Sequence, residues 1–468
     1  MLSKKLALEV INAATSTGAD FAEIYYEDTH NKSFSVDNGE VEAINDSTTY
    51  GVGLRLLCKF QSVYGYTNDL SKKSLLKLAH DLAASFNEKR SVNEIDSFKK
   101  VRVKNIHKVE RPASQVPEAE IISFLKDTGN IISSYDKRII RVQTNFLNWT
   151  SDVTIYNSDG KCWNTKREYS RLALASVASE NGKIETRFDG PGTQAGFEYF
   201  TRDLDVKALA KNNAEKVILM LEAKECPSGK FPVIIGNGWG GVIFHEACGH
   251  QLEATSVAKG LSVFSGMKGQ QIASPIVSAY DDGSISNEWG SGNLDDEGGV
   301  PQCNELIKDG ILTGYLVDNF NGRRMGEKGN GASRRQSYKF EPTSRMSNTY
   351  IAPGKSTPEE IIANTKLALY AVSFGGGSVN PATGDFNFGC NEAYIVKDGK
   401  ILCPVRGATL VGNAKDILKH IDMVGNDVAF GCGMCGSVSG SIPVNVGQPT
   451  IRINEIVVGG RGGSIDEF

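Results

Sequence analysis

The chain has 468 residues, 40% hydrophobic and 23% charged, with 51 Lys and Arg against 55 Asp and Glu for a formal net charge of −4. That balance gives no global attraction for nucleic acid or an anionic membrane surface, and no run approaches the roughly 18–20 apolar residues of a membrane-spanning helix. The length exceeds what one core organises, so at least two domains are expected.

The basic start of the chain is not a signal peptide, because Glu9, Asn12 and Thr15 interrupt its apolar residues. Leu6, Val10, Ile11 and Ala14 instead predict an amphipathic helix. Alternating runs follow (FAEIYYED, FSVDNGEVEAI, YGVGLRLLC, SVYGYTND) and predict an antiparallel sheet with tight turns such as Asn38-Gly39. A helix over residues 72–86 covers it, and the polar stretch 87–112 reads as a linker or domain edge. A further helix is expected between Glu118 and Tyr135, then long strands from Ile139 to Arg187. The next helix, Asp203 to Ala223, carries Val206, Leu209, Ala210, Ala214, Val217 and Leu221 on one stripe and stops at Cys226-Pro-Ser-Gly229. The reading is α+β: an N-terminal sheet-and-helix domain, 1–226, followed by a mostly antiparallel C-terminal domain, 227–468. There Phe231 to Ile235 is a strand, and Asp282-Gly283, Asp309-Gly310 and Asp398-Gly399 mark turns or hairpins. One helix begins with the capping pattern Thr357-Pro-Glu-Glu360, and another is expected from Asn413 to Met423.

The strand Phe231 to Ile235 runs into His245-Glu246-Ala-Cys248-Gly249-His250, which holds two of the six histidines. From composition, H-E-x-x-x-H is expected on the order of 0.005 times per chain. In the H-E-x-x-H motif of zinc hydrolases the histidines are about 40° apart around a helix; here, at i and i+5, they would be about 140° apart. A shared metal therefore requires the helix to be widened, as by a π-bulge, or broken, with Gly249 the residue that resists distortion least.

Two histidines are an incomplete catalytic zinc site, which normally has three protein ligands and one open position. The candidates for the third are Glu253, Cys248, and Cys432 or Cys435 of Gly431-Cys-Gly-Met-Cys-Gly436, with one of the latter pair favoured and Cys248 assigned to packing. Beside a metal, Glu246 is placed to act as a general base. The nine cysteines form no dense disulfide framework and are expected reduced, although Cys432 and Cys435 keep a redox reading open. The basic, Gly-rich segment Arg323 to Tyr338 lacks the order of a phosphate loop, so Arg334 and Arg335 are candidates for holding a substrate main chain or carboxylate, against a solvated surface loop. The acidic run Asn293 to Glu297 reads as a turn or salt-bridge cluster rather than a cation site.

Taken in order, HEACGH with Gln251-Leu-Glu253, Asp281-Asp-Gly283, Leu294-Asp-Asp-Glu-Gly298, Gly329-Asn-Gly331 leading to Arg334-Arg-Gln-Ser-Tyr338, Arg345-Met-Ser-Asn-Thr-Tyr350 and Val446-Gly-Gln-Pro449 resemble the TldD branch of the TldD/PmbA metallopeptidases. The resemblance covers nearly all of the C-terminal half and is weaker before it. It implies a cytoplasmic peptidase with one Zn2+ per chain held by His245, His250 and Cys435, with Glu246 as general base. It also implies short or unfolded peptide substrates in an enclosed chamber, and a homodimer or a heterodimer with a relative lacking the metal motif. The rival role is a catalytically silent partner of such a complex. A DNA gyrase modulator label attaches to the family, but the charge of this chain supports no contact with DNA. The sequence reads Cys-Gly-Ser-Val-Ser-Gly where the family more often has Cys-Gly-Lys-x-Gly-Gln, which bears on local substrate contacts.

Overall fold

In a computed structural model that describes residues 2–380 and 383–468, the alternating runs of the N-terminal half form one long sheet. Its centre is the strand Phe21–Asp37, paired antiparallel with Glu40–Cys58 on one side and with Ile139–Asn157, then Lys161–Glu180, on the other. Period-2 alternation places Phe34, Phe146 and Leu172 in one cross-strand row. The helices Glu118–Ser133 and Val206–Glu222 cover that row. Removing a side chain such as Phe146 from water contributes roughly 1.5–3 kcal/mol. At the other end of the sheet, Lys4–Ala14 and Lys72–Ala83 cover Ile24, Val52, Leu54 and Leu56.

The opposite face of the same strands is not left to solvent. Glu23, Tyr25, Glu27 and Arg55 lie there, and all are buried because the C-terminal half packs over them. Arg55 meets Glu23 at 3.1 Å and Glu297 at 2.5 Å, and Arg167 meets Asp296 at 2.7 Å. Two members of the acidic run, Asp296 and Glu297, are thus salt-bridged, one of the readings its sequence suggested.

The C-terminal half has two main sheets. In the first, Gly229–Ile235 pairs parallel with Leu367–Val379 and antiparallel with Ile451–Gly459. In the second, Asn348–Ile351 pairs antiparallel with Ala279–Asp282 and parallel with Gly440–Gln448, which forms a hairpin with Ala429–Ser437. The turns at Asn38-Gly39, Asp309-Gly310 and Asp398-Gly399 have both residues at positive φ, between 47° and 82°, matching a two-residue hairpin. Asp282-Gly283 is not such a turn: the strand Ala279–Asp282 meets its partner Cys303–Lys308 only after the intervening acidic segment. The expected helix from Asn413 to Met423 is also shorter. Ala414–Ile417 is helical with one following 3₁₀ turn, but Ile421–Val424 is a strand, since its backbone pairs with Ile451–Gly459. Edge pairing there outweighs the local helical pattern.

Candidate metal centre

The strand Gly229–Ile235 leads through a glycine-rich turn into the helix Val242–Ala247. Its entry is close-packed: a Cβ on Gly241 would lie 2.5 Å from the Gly447 nitrogen, so only glycine lets the helix start rest on the strand Gly440–Gln448. The helix then stops. Cys248 has φ −118° and ψ −49°, and a 3₁₀ turn, Gly249–Leu252, takes over. This is a break rather than a π-bulge, and the distortion sits at Cys248. Gly249 serves a different end, because a Cβ there would come 2.1 Å from the Met346 sulfur.

The break turns both imidazoles to one side. His245 Nε2 and His250 Nε2 each lie 3.3 Å from Cys435 Sγ, and the two rings meet edge to face with centroids 5.1 Å apart. The three donor atoms all fall within 4.8 Å of one another. Bond lengths of ~2.3 Å to sulfur and ~2.1 Å to nitrogen place such atoms about 3.5 Å apart across a tetrahedral zinc, so the donor set fits the ion and leaves a fourth position.

The strand geometry decides between the two cysteines. Residues three apart on a strand point to opposite faces. Cys435 faces the histidines, while Cys432 faces the N-terminal half, where its Sγ lies 3.3 Å from both the nitrogen and the carbonyl oxygen of Gly192. The pair can share neither a metal nor a disulfide without dismantling the hairpin. Burial alone would raise the Cys435 thiol, but His245 and His250 beside it bring it down to about 3, whereas burial pushes Cys432 up to about 11. Burial also raises the fully enclosed Cys248 thiol, consistent with packing.

Two glutamates flank His250. Glu246 Oε2 is 3.8 Å from Nε2, on the donor side, with its side chain 25% exposed. Glu253 Oε1 is 3.2 Å from Nδ1, on the far side of the ring, and so lies outside the ligand cluster. Burial opposes a charge on His250, but Glu253 and Cys435 together hold its pKa well above the usual histidine range. The buried Asp281 is raised to about 6 by desolvation, moderated by donors from the Ser347 nitrogen and the Thr349 hydroxyl.

The two arginines expected to meet substrate part ways. The Arg335 side chain is fully buried, ion-paired with Glu23 at 2.5 Å, bonded to the Asp296 carbonyl and stacked on Tyr25. It is committed to the joint between the two halves, and neither arginine lies on a solvated loop. Arg334 donates to the Met346 carbonyl at 2.7 Å and has no carboxylate partner among the described residues. It lines a cleft of about 600 Å³ together with Trp149, Tyr169, Met434 and Ile442, the last two flanking Cys435 in the hairpin. Arg345 and Asp281 stand in segments that carried the family resemblance, but no local pattern marks either as part of a site. Their partners lie 66 to 95 positions away in sequence.

A His2Cys donor set that could hold a metal ion, with a carboxylate at its edge and carried on an α+β scaffold, is an arrangement suited to metal-assisted hydrolysis. Models of the PmbA/TldA metallopeptidases match the chain at residues 22–85 (domain 1), 111–221 (central domain) and 228–460 (C-terminal domain). The chain belongs to this PmbA/TldD metallopeptidase family. It is 34% identical to the metalloprotease TldD homolog of Haemophilus influenzae over 98% of its length and 97% of that protein. It is 33% identical to the homolog of Buchnera aphidicola subsp. Schizaphis graminum, over 94% and 93% respectively. The crystal structure of TldE from Thermococcus kodakarensis shares the fold, with a TM-score of 0.77 at 16% identity covering 97% of this chain and 99% of that one.

Proposed function

We propose that the protein is a zinc-dependent peptidase with one ion per chain, held by His245, His250 and Cys435. The observation that carries this reading is the convergence of the three donors, with Glu246 on the same side of His250 as the donor sulfur. A thiolate and two imidazoles suit zinc better than a hard cation, which prefers oxygen ligands. Held by His245, His250 and Cys435, the ion would supply Lewis-acid polarisation of the scissile carbonyl and of a water molecule. Glu246 takes the proton from that water and returns it to the departing amine, a task that needs a carboxylate within reach and partly open to solvent.

The cleft between the N-terminal sheet and the cysteine hairpin, which neither the three donors nor Glu246 lines, holds a part of the peptide away from the scissile bond. Trp149 and Tyr169 stack there with ring centroids 4.7 Å apart and offer an apolar wall. Arg334, which has no carboxylate partner among the described residues, binds the substrate main chain or a carboxylate. The site works in the cytoplasm on short or unfolded peptides, inside a chamber that a second copy or a relative without the motif closes.

Glu246→Gln tests the reading. It should keep one zinc per chain and lower peptide hydrolysis by about 10²–10⁴-fold, the contribution of a general base. Undiminished hydrolysis in a homogeneous preparation would reject Glu246 as the base.

A further inference from the structure

His250 and Cys435 reach the site from elements 185 residues apart, and one pair of buried side chains joins the supports of both. Glu253 sits where the 3₁₀ turn passes into the short helix Ala254–Val257, and its backbone is pinned by a bridge to Leu316. From there its carboxylate reaches His250 Nδ1 at 3.2 Å and Arg345 Nε at 3.8 Å. Arg345 is completely buried. Its other nitrogens hold the hairpin: Nη1 donates to the Ser439 hydroxyl and the Gly440 carbonyl, both at 2.9 Å, and Nη2 donates to the carbonyl of Cys435 itself. Neither Glu253 Oε1 nor Arg345 Nε makes a hydrogen bond among the described residues, so the contacts at 3.2 and 3.8 Å are those of buried ion pairs. The two atoms thus have only each other and His250.

We infer that Glu253 and Arg345 are a positioning pair, which orients His250 through its Nδ1 and fixes it relative to the backbone that presents Cys435. The inference rests on the zinc reading given above. An imidazole that donates from Nδ1 to a carboxylate presents its Nε2 lone pair to the metal, and such outer partners typically contribute about 10–100-fold in metal affinity. Arginine is suited to the other half of the task because its planar fork addresses Glu253 from one edge and the hairpin oxygens from the other, which lysine's single ammonium cannot do. His245 has no comparable support: its Nδ1 has no hydrogen-bond partner among the described residues, so nothing polar fixes the ring from its far side.

The test is zinc affinity by chelator competition on the full-length protein, with the visible spectrum of the cobalt(II)-loaded form and the melting temperature of the metal-free form. Glu253→Ala should weaken zinc about 10–100-fold and shift the cobalt d–d bands, while leaving the thiolate-to-cobalt charge-transfer band and the metal-free melting temperature in place. Glu253→Gln retains an acceptor for Nδ1 and should stay within about 3-fold of wild type. Arg345→Lys, the conservative change at a buried site, should weaken zinc without altering the stoichiometry at saturation. Wild-type affinity in Glu253→Ala would overturn the inference while leaving the zinc reading intact. A metal-free Glu253→Ala protein destabilised as much as its zinc affinity falls would also overturn it, because the residue would then be structural. Cobalt spectra without a thiolate band in the wild type, or Cys435→Ala binding zinc normally, would instead reject the zinc reading itself.

Discussion

Two buried polar clusters lie within this fold, and they are finished differently. At the joint between the halves, carboxylates meet guanidiniums: Glu23 with Arg55 and Arg335, Glu297 with Arg55, and Asp296 with Arg167. Asp295, which has no guanidinium partner among the described residues, is raised to about 7 by burial and by the neighbouring Glu297, and accepts bonds from three backbone nitrogens. At the candidate metal centre, by contrast, Cys435 Sγ lies 3.3 Å from the Nε2 of each histidine, and the three donor atoms all fall within 4.8 Å of one another. A cluster that closes on itself is cement; one whose lone pairs converge calls for a ligand. Both were assembled from distant sequence, so distance alone does not distinguish them.

The sharpest way to break the comparison is to remove one member of each. Cys435→Ala should abolish stoichiometric zinc while the metal-free fold melts near wild type, as measured by metal analysis and calorimetry. Arg55→Met should do the reverse. It strands Glu297 without a guanidinium, while Glu23 keeps Arg335, and should cost about 3–5 kcal/mol in denaturant unfolding, with zinc retained by the folded fraction. If Arg55→Met emptied the site without destabilising the fold, the two clusters would not be separate.

Smaller changes sharpen the boundary. Gly249→Ala forces a methyl against Met346 and should cost about 1–3 kcal/mol, with some loss of zinc affinity as the 3₁₀ turn shifts. Cys432→Ala should cost about 1 kcal/mol through its contacts with Gly192 and leave zinc content unchanged. At the joint, His107 accepts from the Asn287 nitrogen and is lowered to about 4, first by burial and then by Arg167. Between that value and the ordinary 6.5 the unfolded chain holds a proton that the folded chain does not. Wild type should therefore lose stability relative to His107→Gln as pH falls through this window, in urea titrations at matched ionic strength.

Much of the fold was legible because its signals are local. Strict alternation placed the long strands, Asn-Gly and Asp-Gly placed three hairpins, and the stripe from Val206 to Leu221 placed a helix. The break in the motif helix was legible too, because a five-residue histidine spacing cannot converge on a regular helix. Other features were not. Residue spacing alone left Cys432 and Cys435 open, since only the strand that carries them puts them on opposite faces; family resemblance had to choose. The fate of Arg335 was hidden because its partner, Glu23, lies 312 positions away. The strand Ile421–Val424 was missed because its pairing partner, not its own pattern, makes it extended.

The 190 residues between His245 and Cys435 also set a clock. At about 5–20 residues per second, roughly ten to forty seconds of translation separate the first proposed ligand from the last. The strand Ile451–Gly459, which pairs with the strand feeding the motif helix, emerges later still. A nascent chain that has not yet reached Cys435 and this strand therefore lacks one of the three proposed donors and a support of the motif helix.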